Sequence, residues 1–155
     1  MMEVDTQEAE KFLEEFEELI EGIDAMGIFV HNTSIALPMF IPGFGVGWGL
    51  FSAWSTGYAF ASIVSLTPIL ADVPALTLLY LSPFGLMELT AYSLATSRSY
   101  ILIWKVIKKN PIDSKVLKIT GIEIGIMVGL LFAGGIIEHE MIAMVQESGF
   151  EMPGF

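Results

Sequence analysis

The chain has 155 residues, 54% of them hydrophobic and only 16% charged, a balance outside soluble usage for a polypeptide the size of one ordinary domain. Its net charge of -11, with only seven Lys and Arg, excludes nucleic acid as a ligand, because phosphate binding needs clustered cations. The absence of cysteine excludes disulfides, thiolate nucleophiles and thiolate metal sites.

Ten of the eighteen acidic residues fall between Glu3 and Asp24, so the acidity belongs to an N-terminal segment. Residues 1–25 read as an amphipathic helix: Phe12, Leu13, Phe16, Leu19, Ile20 and Ile23 recur at helical spacing, with glutamates filling the other face. Asp5 and Glu8 form a capping signal at its start. A single Lys11 among glutamates disfavours an anionic membrane surface, so the stripe of Phe12, Phe16, Leu19 and Ile23 is expected to dock on protein, either this chain's own membrane domain or another subunit. The N-terminus lacks the cationic and apolar regions of a cleavable signal, so the first hydrophobic span is expected to direct insertion.

Between Asp24 and Asp72 no Lys, Arg, Asp or Glu occurs over forty-seven residues, enough for two bilayer crossings. We expect a transmembrane domain over residues 26–145, followed by a short tail, 146–155. The first span, Met26 to Ile41, is kinked at Pro38, and Pro42-Gly43 separates it from a second, Gly43 to Leu70. A third, Pro74 to Trp104, is broken at Ser82-Pro83-Phe84-Gly85. Asn110-Pro111 stops it, and Asp113-Ser114 starts a fourth, Val116 to Val145. The predicted fold class is all-α, a polytopic membrane helical bundle of four spans.

Arg98, Lys105, Lys108, Lys109, Lys115 and Lys118 flank one connection, which the positive-inside rule places in the cytoplasm. With four crossings, residues 105–118 are cytoplasmic, and the acidic helix, the Ala71-Asp72-Val73 turn and the tail lie outside a plasma membrane. If Pro42 marks a re-entrant point, three crossings remain and the acidic helix moves inside.

Small residues recur every four positions through Gly45, Gly49, Ala53 and Gly57, and again through Gly121, Gly125 and Gly129. Such rows let membrane helices approach closely, here as internal packing or as a face for self-association. Glu88, Glu123 and Glu138, with Asn32, are polar groups at membrane depth, each costly unless paired, hydrated or neutral. Glu88 follows the Pro83 break, where free carbonyls and a half-helix N-terminus are available to it. His31, Glu138, His139 and Glu140 have metal-ligand chemistry near one rim, but no H-x-x-x-H spacing exists, so no metal and no cofactor are expected. A polar network linking helices through Asn32, Glu88, Glu123 and Glu138 is the favoured reading.

The run Phe29-Val30-His31-Asn32-Thr33-Ser34-Ile35-Ala36-Leu37, then Gly43 through Gly49, resembles the Asn-containing span and glycine-rich turn of the stage II sporulation protein M family. Pro83-Phe84-Gly85-Leu86-Met87-Glu88-Leu89 is similar to its Pro-His-Gly and Glu-Leu element, and Ala133 to Glu138 to its small-residue run ending in Ile-Glu. Phe84 stands where the family has His, which removes any proton or metal role at that position. The family commonly carries a further span before its acidic segment, and this chain begins after it. The resemblance implies an integral membrane component of a larger assembly. In spore formers such proteins serve with cell-wall-remodelling partners during engulfment.

The expected function is therefore a non-enzymatic scaffold or accessory subunit of a membrane complex, whether a membrane-bound oxidoreductase such as a copper monooxygenase or envelope machinery. Its partners are other membrane subunits, the lipid bilayer and, in a homo-oligomer, further copies of the chain. The rivals are a small ion- or proton-coupled transporter using Glu88 and an intramembrane metal-site enzyme.

Overall fold

The computed structural model describes residues 11, 23–66 and 74–147. Phe12, Phe16 and Leu19 of the docking stripe, the Ala71-Asp72-Val73 turn and nearly all of the tail lie outside the described residues.

Each helix begins or ends where local chemistry dictates. Helix α1, Ala25–Ala36, starts at Asp24, whose carboxylate accepts from the Gly27 amide at 2.7 Å. Pro38 then tightens the chain into a 3-10 turn, Leu37–Phe40, and Gly43, at φ 79, reverses it. Helix α2 is Phe44–Leu66, and a short α3, Ala75–Leu81, precedes α4, Pro83–Ile107. The break between these two is closed by Ser82, whose hydroxyl accepts from the Gly85 amide at 3.1 Å and donates to the Leu79 carbonyl at 3.0 Å. Helix α5, Ser114–Glu147, is capped by the Asp113 carboxylate, which accepts from the Val116 amide at 2.9 Å. All described elements are helical, as the sequence predicts.

Contacts between the helices give the chain direction. Asn32, Met39 and Ile41 meet Glu88, Thr96 and Ser99 in the same order, so α1 and its 3-10 turn run parallel to α4. Gly45 lies against Ser99 and Gly49 against Thr96, so α2 runs the other way. Arg98 meets Glu123 while Gly134 approaches Met87, so α5 also opposes α4. The long helices thus alternate up and down. The Pro42 turn and the Lys108–Asp113 connection share one end, and Asp24, Ser82 and Glu138 lie toward the other.

The core is narrow. It consists of Ala36, Met39 and Phe40 against Ala91 and Ala95 of α4 and Met127 and Leu131 of α5, with Phe29 set edge-on to Phe132 at 5.4 Å. Outside it, large apolar side chains face outward, among them Leu50, Phe51, Trp54, Ile107, Ile122 and Ile126. Along α2, Phe44, Trp48, Phe51, Trp54 and Tyr58 stack in a ladder with centroids 5.6 to 6.0 Å apart. A water-soluble monomer rarely exposes apolar surface this continuous.

Among the described residues, length and composition qualify one helix, Ser114–Met144, to cross a membrane, and only 17% of its most apolar window is buried within the chain. A core helix of a soluble protein would be mostly covered. The other described helices do not meet that test of length and composition: α1 with its 3-10 turn covers sixteen residues, Ala25–Phe40, α2 is diluted by Gly, Ser and Thr, and α4 carries Glu88 and Arg98.

Candidate functional site

Three features converge on α4. The first is a polar link at the second turn of α4, where the Asn32 amide of α1 donates to the Glu88 carboxylate. Asn32 is buried. The break at Pro83 therefore does not hold Glu88 through free carbonyls, as the sequence suggested. Ser82 satisfies the new helix start, and Glu88 turns to Asn32 instead. Glu138 of α5 and Tyr92 of α4 stand within electrostatic range of Glu88. One carboxylate oxygen of Glu138 and the hydroxyl of Thr33 are buried without a hydrogen-bond partner. The structure thus joins Asn32 to Glu88 and brings Glu138 near.

Glu123 belongs elsewhere. Together with Arg98 it forms a two-pronged ion pair between α4 and α5, the guanidinium Nε and Nη2 donating to the two carboxylate oxygens. Arg98 is only 8% exposed, so it is not one of the solvated cations that flank the connection. The sequence carried one signal for this: Arg98 is the chain's single arginine, set seven residues before the first lysine of the cluster, and arginine is the cation suited to bidentate carboxylate pairing. The other five cations, all lysine, remain at that end of the bundle.

The third feature is a groove of about 790 Å³ between α2 and α4, with α3 at its far end, running from Tyr100 and Ile101 past Ser97 and Ser93 to Glu88 and Leu79. It exists because the two helices diverge. A Cβ at Gly45 would fall on the Met39 carbonyl and lie 2.8 Å from the Ser99 hydroxyl, and one at Gly49 would meet Thr96, so the start of α2 is pressed against its neighbours. Gly57, two turns further, has nothing within 4 Å. Trp48 fixes the near end by donating to the Ile35 carbonyl at 3.0 Å, and Ser99 donates to the Ile41 carbonyl at 2.5 Å. Neither contact follows from local spacing in the sequence.

The glycine rows divide: Gly57, Gly121, Gly125 and Gly129 meet no other described helix, because α5 packs on α1 and α4 through Met127, Leu131, Gly134 and Gly135 on its other face. Their row is an outward one. The rim of His31, Glu138 and His139 gathers no metal-holding group: no cluster of three or more suitable side chains exists among the described residues, and His31 is exposed on α1. Of the docking stripe only Ile23 is described, half-buried against Gly27.

An all-helical bundle with a thin core, an apolar exterior and polar groups paired internally is the construction of an integral membrane protein. The stage II sporulation protein M family matches residues 1–139, nine-tenths of the chain, and the chain belongs to that family. No curated protein and no solved structure matches it.

Proposed function

We propose that this chain is a four-crossing membrane protein without catalytic chemistry of its own, a scaffold or accessory subunit that holds other membrane proteins in a complex. The observation that supports this best is the outward row of Gly121, Gly125 and Gly129 among Leu117, Ile122 and Ile126 on α5, a close-approach surface that the other described helices leave uncovered. The polar groups are used inward: Arg98 with Glu123 and Asn32 with Glu88 tie helices together. In this reading the five lysines mark the cytoplasmic end, and Asp24 with the preceding acidic segment lies outside. A membrane-bound oxidoreductase and envelope machinery are both suitable hosts.

Solubilisation of native membranes in mild detergent, followed by affinity purification, tests the assignment. A stoichiometric membrane companion supports it; a lone chain that carries ion flux overturns it. Because the chain has no cysteine, single cysteines at Asn110 and Asp24 report topology directly. Labelling of Asn110 from the cytoplasm only and Asp24 from outside only is expected.

One observation favours a second reading. Glu88 lines the groove as well as bonding to Asn32, and a carboxylate facing both a helix link and an open path is the arrangement a small proton- or cation-coupled transporter would use.

A further inference from the structure

The groove between α2 and α4 is long and mostly apolar, with small hydroxyl side chains along α4 and Glu88 toward its far end. From Glu88 to Ile101 it follows α4 for about 20 Å at the helical rise. A hydrocarbon chain fits, and one leaflet of a bilayer offers about 15 Å of it.

What stands at the mouth decides the kind of lipid. The face of α4 that lines the groove, Ser93, Ser97, Tyr100 and Ile101, continues at helical spacing into Trp104, Lys105 and Lys108. Tyr100 and Trp104 stack at 6.3 Å, and the Lys108 ammonium sits 5.0 Å above the Trp104 ring. An aromatic pair at interfacial depth followed by two cations is complementary to an acyl chain joined to an anionic headgroup.

We propose that this groove binds an anionic phospholipid of the cytoplasmic leaflet, its acyl chain between α2 and α4 and its phosphate on Lys105 and Lys108. The proposal rests on the membrane-spanning reading above. It makes the groove a built lipid seat, beyond the general attraction of a cationic loop for an anionic surface. Lys115 and Lys118, at the same end but on α5, take no part in it.

The test uses the full chain, purified in mild detergent and reconstituted into vesicles of equal parts phosphatidylglycerol and phosphatidylcholine. After re-extraction, the lipid retained per chain is counted by mass spectrometry. Wild type is expected to retain phosphatidylglycerol selectively. Ser97→Phe, which fills the groove without altering charge, and the double variant Lys105→Gln with Lys108→Gln are each expected to lower that retention by about tenfold or more, while Lys115→Gln with Lys118→Gln leaves it unchanged. Ser93→Leu repeats the filling experiment should Ser97→Phe fail to fold. Equal retention of both lipids, or equal loss from the two lysine pairs with none from groove filling, overturns the proposal. So does a photo-crosslinker at Ser97 that captures protein and no lipid in native membranes. Extraction by alkaline carbonate separates the two readings: a chain washed from the membrane sinks the membrane-spanning assignment, whereas a chain that stays inserted without lipid preference sinks only the lipid seat.

Discussion

Arg98 of α4 and Glu123 of α5 face each other as a bidentate ion pair, which ties the two helices together at that level. Among the described residues no other charge is paired with either of them.

Removing one partner strands the other. Arg98→Ala or Glu123→Ala is expected to lower stability in detergent by about 3 kcal/mol, the range for breaking a buried pair. Arg98→Met combined with Glu123→Leu is expected to cost much less than the two single changes summed. A double-mutant cycle by thermal or denaturant unfolding in micelles measures this, and additive losses would show that the pair does not couple the helices.

Glu88 separates the two functional readings. Glu88→Gln preserves an acceptor for the Asn32 amide and is expected to fold and assemble normally, whereas Glu88→Ala leaves buried Asn32 unpaired at a cost of about 1 to 3 kcal/mol. Proton or cation flux in liposomes that the wild type carries and Glu88→Gln abolishes, with stability intact, would replace the scaffold by a transporter.

The glycines divide by position. Gly45→Ala places a methyl group on the Met39 carbonyl and is expected to destabilise by about 2 kcal/mol. Gly125→Ala meets nothing among the described residues and is expected to raise the isolated protein's stability by about 0.5 to 1 kcal/mol. Gly125→Leu is expected to leave the isolated chain folded while reducing recovery of a companion subunit. Unchanged recovery would remove α5 from consideration as the docking face.

Lys109 ends α4 in a left-handed conformation, φ 54, with the Asn110 amide donating to the Lys105 carbonyl at 2.9 Å and the Lys109 amide to Val106 at 3.0 Å. A glycine relieves the crowding of Cβ in that region. Lys109→Gly is expected to stabilise by about 1 kcal/mol, read as a rise in melting temperature.

Sequence alone determined where this chain breaks and what each piece is made of. Proline without an amide at 38, 42, 83 and 111, glycine free to turn at 43, and aspartate capping at 113 act within three or four residues, so local spacing suffices to locate them. The membrane class and the family were likewise readable, because composition and motif order do not depend on packing. Tertiary structure decided the partners. Asn32 reaches Glu88 across 56 positions and Arg98 reaches Glu123 across 25, and no helical period links such pairs. It also split rows that look alike in sequence. Gly45 and Gly49 are pressed against α4 while Gly57, Gly121, Gly125 and Gly129 face outward, because every glycine offers the same absence of a side chain and only the path of the neighbouring helix determines whether that space is filled.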